Sequence, residues 1–329
     1  MNVTVLGAGS WGTTVATLTA ALNPTVLWAR NPDVAAEVND ARTNAAYLPS
    51  VTLPRRLRAT ADLERAVSRA DVLIVGVPSK GFRSVVDEAR AWIRPWIPVV
   101  SLTKGIEAGT LLRMTQIIEE VLPGHPAAAL TGPNLAREIM AGKAAASVVA
   151  TDDLGVAAAL QAVLQHRLFR VYRNHDVIGC EIGGALKNVI AIAAGIGEGL
   201  GVGDNTRSAV MTRGLAELTR LGVAMGAEPQ TLAGLAGMGD LVATCMSPYS
   251  RNRAVGESLG GGKPLAEILA EMHMVAEGVG TAQTALALAE RHGVDLPICR
   301  EIHKVVMGEQ RPIDAYRGLQ PAGHEADPG

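Results

Sequence analysis

Hydrophobic and polar positions divide the chain into two regimes. Up to about residue 178, short and nearly continuous apolar runs alternate with segments of helical periodicity. The runs are NVTVLG (2–7), TVLWAR (25–30), DVLIVGVPS (71–79), IPVVSLTKG (97–105), AAALTG (127–132), AASVVAT (145–151) and LFRVY (168–172). Between most of them lie SWGTTVATLTAAL (10–22), ADLERAVSRA (61–70), GTLLRMTQIIEEVL (109–122) and DLGVAAALQAVLQ (153–165). Strands without polar alternation are buried on both faces, so the pattern predicts a parallel sheet covered by helices on either side. After Ile178 the strand pattern stops, and the stretches 180–200, 207–225, 264–272 and 281–293 all carry helical periodicity. The expected architecture is an α/β Rossmann-like domain with a mostly parallel sheet over residues 1–178, followed by an all-α domain over 179–318. A polar, Gly/Pro-rich and disordered tail is expected over 319–329.

The first apolar run ends in G-A-G-S-W-G. Gly7, Gly9 and Gly12 thus stand between a strand and a helix, the setting a dinucleotide-binding turn requires. Gly7 would permit the tight turn, Gly9 the approach of backbone to a pyrophosphate, and Gly12 close packing of helix on strand. Amides at the helix start, beside Ser10 and Trp11, would hold the phosphates, although Trp11 reads equally as core. The second strand ends in LWARNP, with Arg30 where an NAD site usually carries a carboxylate. An arginine suits a ribose 2′-phosphate, so NADP(H) is the expected cofactor, with NAD(H) also accepted; the alternative for Arg30 is a solvated surface charge.

A length of 329 residues fits two domains. Aromatic residues make up 3% of the chain, so the core must be built from Ala, Val, Leu and Ile. A net charge of −2 argues against a general nucleic-acid or anionic-membrane surface, and leaves an acidic substrate to be held by a few local cations. The best candidate for a membrane segment, VIAIAAGIG (189–197), falls well short of the ~20 apolar residues of a span. Three scattered cysteines, Cys180, Cys245 and Cys299, read as reduced thiols, and no signal-type segment is seen, so a cytoplasmic location is expected. No cysteine or histidine pattern has metal-ligand spacing, and no metal is expected.

Lys187 is the only cation between Val177 and Asp204. On a helix, Gly183, Gly184, Lys187, Asn188, Ala191 and Gly195 fall near one face, a stripe that would admit another backbone or a ligand. A lysine buried there suits general acid–base chemistry; the plainer reading is a lysine snorkelling out of an interdomain helix. Lys104 follows a strand, at the end where open parallel sheets bind ligands. Gly132, Pro133 and Asn134 follow another. Asp240, Ser250, Arg251 and Asn252 lie in the helical half, with Ser250 placed like an N-cap so that first-turn amides favour an anion. Taken singly, each charged loop residue also reads as solvated surface.

The stretches GAGSWGT, NAAYLP, VGVPS, TKGIE, GPNLARE, GGALKNVIAIAAGIGEGLG, TRGLAEL, GMGDLVATC, SRNRAVG and VAEGVGT run in order from residue 7 to 281. Together they resemble the bacterial NAD(P)-dependent glycerol-3-phosphate dehydrogenases. The resemblance implies reversible reduction of dihydroxyacetone phosphate to sn-glycerol 3-phosphate, supplying glycerophospholipid synthesis. It implies cofactor contacts at Ser10, Trp11, Arg30, Lys104, Ala136, Arg251, Val275 and Glu277. Substrate contacts are implied at Lys104, Gly132, Asn134, Lys187, Asp240, Ser250, Arg251 and Asn252, with Lys187 as proton donor and acceptor. Asn134 departs from the Ser or Thr common at its position, which leaves a hydroxyl contact there open. The expected partner is a small phosphorylated substrate, without nucleic acid or an integral membrane segment, and a homodimer is allowed. Two rival readings are a hydroxyacid dehydrogenase on the same plan and a non-catalytic dinucleotide sensor. The SRNR cluster and Lys104 favour a phosphate over a carboxylate, and a sensor would not need Lys187.

Overall fold

The computed structural model describes residues 1–272 and 275–318; the expected tail at 319–329 lies outside the described residues. Eight strands form one sheet: β1 (Val3–Leu6), β2 (Thr25–Trp28), β3 (Arg58–Thr60), β4 (Val72–Val75), β5 (Val99–Ser101), β6 (Ala127–Thr131), β7 (Ala145–Ala150) and β8 (Phe169–Asn174). Their order across the sheet is β3-β2-β1-β4-β5-β6-β7-β8, so the chain changes direction of travel between β1 and β4. Every residue of β1 and β4 is buried, as expected for central strands covered on both faces.

The sheet is not parallel throughout. β1 to β6 run in one direction, whereas β7 pairs antiparallel with β6 and parallel with β8. The connection from β6 to β7 carries only the five-residue helix Ala136–Met140, too short to cross back over the sheet, so β7 must return the opposite way. The expected helix over 109–122 also starts late, at Met114. Leu111 takes a left-handed φ of 61°, and Ile106 bridges to Arg113, so the segment before Met114 is a turn.

Beyond β8, the helix Val177–Gly199 forms the axis of the helical part. By length and a mean hydropathy of 1.5 it could cross a membrane, which VIAIAAGIG alone does not suggest; here 94% of that window is buried inside the protein. Its glycine stripe meets backbone. A Cβ on Gly195 would lie 2.1 Å from the carbonyl oxygen of Arg253, and one on Gly256 would lie 2.1 Å from that of Ile192. The helix Arg251–Gly260 therefore crosses the central helix in direct main-chain contact. Two further ties hold the central helix. Near its start, Glu181 accepts hydrogen bonds from the Thr115 amide (2.9 Å) and from Arg113 and the Thr115 hydroxyl (both 2.5 Å), joining it to the sheet side. In its second half, Ala193 accepts a 2.8 Å hydrogen bond from the hydroxyl of Tyr316, on the helix Pro312–Gly318.

The crossing predicts opposite effects at two helical glycines. Gly195→Ala must push main chains apart, at a cost of ~1–3 kcal/mol or more, and should lower the calorimetric unfolding temperature by several degrees. Gly280→Ala, with nothing within 4 Å of the new methyl, should leave it unchanged or raise it.

Candidate active site

At the end of β1 the chain turns through Gly7 with a φ of +109°. A Cβ on Gly12 would lie 2.0 Å from the Gly7 carbonyl oxygen, so helix and strand can meet this closely only with glycine there. Gly9 faces open space, with nothing within 4 Å of a Cβ position. The helix Ser10–Ala20 starts at this point with no side-chain cap, leaving its first amides free for an anion. This cradle fits a dinucleotide diphosphate. Trp11 packs edge-on against Phe169 with centroids 6.1 Å apart, and its buried Nε1 has no partner among the described residues. Arg30 is exposed just beyond β2, on the same edge of the sheet, and Ala136 is half-buried at the start of its short helix.

The densest charge lies between the sheet and the central helix. Asp240 is 1% exposed and Lys187 5% exposed. The Lys187 ammonium donates to Asp240 Oδ1 at 2.9 Å and to Thr244 Oγ1 at 2.6 Å. Lys104, from the loop after β5, donates to Asp240 Oδ2 at 2.6 Å and to the Gly132 carbonyl at 2.8 Å. One buried carboxylate thus serves two ammonium groups from different parts of the chain. Burial pushes the Lys104 pKa down to about 8, with Asp240 resisting the shift and Lys187 adding to it. Burial would raise the Asp240 pKa, but the two lysines outweigh it and hold the carboxyl below its ordinary range.

A polar relay extends from this cluster. Asn188 donates to the Lys104 carbonyl at 3.3 Å and accepts from Asn252 at 2.9 Å; Asn252 in turn accepts from the Gly278 amide at 3.0 Å. Ser250 caps the Arg251–Gly260 helix by accepting from the Arg253 amide at 3.2 Å. Arg251 donates to the Val275 carbonyl at 2.8 Å. Glu277 reaches the sheet side and accepts from the Ser79 amide (3.0 Å) and hydroxyl (2.6 Å). Asn134 donates to Ser147 at 3.1 Å, leaving its buried Oδ1 without a partner among the described residues.

The structure therefore joins Lys104, Gly132, Lys187 and Asp240 directly, and Asn252 through Asn188. Gly7, Gly9, Gly12, Ser10 and Trp11 lie together in the separate turn after β1, and Arg30 stands beyond β2. Thr244, the bridging role of Asn188, and Ser79 go beyond the sequence reading. A carboxylate and a hydroxyl four residues apart on one helix point to Thr244. Nothing local marks Ser79, whose partner lies 198 positions away.

Comparison with known proteins places the chain in one family along nearly its whole length. Residues 2–157 match the family model of the NAD-dependent glycerol-3-phosphate dehydrogenase N-terminus, and residues 176–317 match that of its C-terminus. The chain is 57% identical over 331 residues to glycerol-3-phosphate dehydrogenase [NAD(P)+] 2 of Sphingopyxis alaskensis, covering 100% of this chain and 99% of the relative. It is 53% identical over 327 residues to glycerol-3-phosphate dehydrogenase [NAD(P)+] 1 of Mycobacterium tuberculosis, covering 98% and 96%. A crystal structure of glycerol-3-phosphate dehydrogenase from Coxiella burnetii superposes with a TM-score of 0.93 at 34% identity, covering 97% of this chain and 98% of that one.

Removing the shared carboxylate should be costly. Asp240→Ala leaves two neighbouring ammonium groups buried without a counter-charge, a loss of ~3–5 kcal/mol, and urea unfolding should show a correspondingly lower midpoint. A midpoint within experimental error of the parent would mean that the lysines find water instead.

Proposed function

The chain belongs to the NAD-dependent glycerol-3-phosphate dehydrogenase family, and on that footing we propose how its own residues carry the family's reaction. The enzyme reduces dihydroxyacetone phosphate to glycerol 3-phosphate with NADH or NADPH. In our reading residues 1–178 hold the dinucleotide and residues 179–318 supply most of the substrate side. The observation that carries this assignment is Asp240 shared between Lys187 and Lys104, buried where the two parts meet.

When bound, the nicotinamide supplies a hydride to C2 of the ketone. Lys187 supplies the proton to the C2 oxygen. Its ammonium has three N–H groups, and the described partners, Asp240 and Thr244, take two, so one remains to point at substrate. Asp240 and Thr244 fix the direction of that third donor. As the oxygen gains negative charge, the preoriented ammonium stabilises it before giving up the proton. In the oxidative direction Lys187 takes the proton back. Arg251 and the amides that follow Ser250 hold the phosphate, with Asn252 fixed beside them. Lys104, Gly132 and Asn134 line the sheet side. Gly7, Gly9, Ser10, Trp11 and Gly12 hold the dinucleotide at its diphosphate, while Arg30 reads its ribose and Ala136, Val275 and Glu277 contact it further along.

Two finer readings accompany this. Arg30 favours NADPH over NADH, because a guanidinium meets a 2′-phosphate where a carboxylate would repel it. The enzyme works in the cytoplasm and supplies glycerophospholipid synthesis. In support of a reducing compartment, all three cysteines are buried free thiols, and burial pushes the Cys245 pKa up to about 12.

The assay is NADPH and NADH oxidation with dihydroxyacetone phosphate. Lys187→Ala should lower kcat by about 10²–10⁴-fold while NADPH binding, titrated by fluorescence, stays near that of the parent. Turnover within a few-fold of the parent would make Lys187 structural and move the proton to Lys104. Arg30→Ala should weaken NADPH selectively, and equal loss of both cofactors would remove Arg30 from the 2′-phosphate.

A further inference from the structure

The helix Ala136–Met140 carries an arginine that none of the roles above uses. Arg137 is exposed, and its guanidinium carbon lies 5.5 Å from the centroid of the Tyr249 ring. The two residues come from opposite sides of the seam. Arg137 lies three positions after Asn134, on the sheet side. Tyr249 immediately precedes Ser250, the cap of the helix whose first turn carries Arg251. The stacking pair therefore joins the two chain segments between which the substrate phosphate is placed.

This contact differs from the other ties across the seam. Lys104–Asp240, Arg113–Glu181 and Ser79–Glu277 are hydrogen-bonded and wholly or partly buried. Arg137 and Tyr249 are both solvent-exposed, and an exposed cation–π contact is among the weaker attractions available to an arginine. A phosphate dianion offers the same guanidinium a charge-assisted and bidentate partner, which is stronger. Breaking the weak contact to make the strong one is favourable as soon as a dianion sits beside Ser250.

We propose that Arg137 is a second phosphate ligand of the enzyme, stacked on Tyr249 in the free protein and transferred to the substrate phosphate on binding. Tyr249 is then a parking place that competes with substrate for the guanidinium. The inference rests on the placement of the phosphate at Ser250–Asn252. It makes Arg137 a determinant of specificity for phosphorylated ketoses and leaves the chemical step to Lys187.

The two halves of the pair should respond in opposite directions, which simple adhesion between the segments would not produce. Arg137→Ala should raise the KM for dihydroxyacetone phosphate at least about tenfold at nearly constant kcat, with the NADPH dissociation constant unchanged. Tyr249→Ala frees the guanidinium and should lower that KM about two- to fivefold, whereas Tyr249→Phe keeps the ring and should match the parent. A rise in KM for both alanine variants would show a strap and overturn the proposal. So would an unchanged KM in Arg137→Ala, or a loss of NADPH affinity in its place. Absence of turnover by the parent enzyme on dihydroxyacetone phosphate would instead sink the assignment of the reaction, and this proposal with it.

Discussion

Two ammonium groups buried against one carboxylate are the constraint around which this molecule is organised. Stripping water from three charges costs several kcal/mol for each, and the attraction between them returns that only when geometry is tight. Here the geometry is tight: Lys104 from the loop after β5 and Lys187 from the central helix lie 2.6 and 2.9 Å from the two oxygens of Asp240. The cluster also carries an unbalanced positive charge. A free protein holding such an excess in a pocket of low exposure gains by taking in an anion. On the proposed mechanism, the negative charge that develops on the substrate oxygen meets an excess that folding has already assembled.

The central helix converts that local demand into a global one. Its glycines let the Arg251–Gly260 helix cross at main-chain contact distance, which sets Asn252 against Asn188, the residue next to Lys187. Glu181 ties the same helix to the sheet side through Arg113 and Thr115. The ligand-facing groups thus sit on a rigid axis, while exposed and weaker contacts such as Arg137 on Tyr249 lie at its rim. On the proposed placement of substrate, rigidity near the proton and looseness near the phosphate suit an enzyme that must hold one geometry for chemistry and still exchange its substrate.

Much of this was legible in the sequence, for physical reasons that can be named. Fully apolar runs separated by helical periodicity mark strands covered on both faces, and six of the seven strand pairings are parallel, as a mostly parallel sheet requires. Gly7, Gly9 and Gly12 are readable because a positive φ, an open approach and a close crossing each exclude side chains in a different way. Lys187 stands out because a lone cation in a small-residue helix demands a partner. The reversal at β7 is not legible in the same way. It depends on the reach of the connection, which apolar patterning does not encode. The late start at Met114 follows two left-handed residues, Gly109 and Leu111, and the leucine side chain gives no warning of it. Pairs such as Glu277 with Ser79, and the contact of Arg137 with Tyr249, depend on how the two parts close on each other. No local window contains both members.

The hydroxyl of Tyr316 on the Ala193 carbonyl means that the last described helix is not an appendage. It is fastened to the same rod that carries Lys187, fewer than two turns further along. Forces that an affinity tag, a fusion partner or attachment to a solid support applies to the helix Pro312–Gly318 reach the helix that carries Lys187 through this hydrogen bond. For anyone immobilising or labelling the enzyme, the choice of anchoring point is therefore also a choice about its active site.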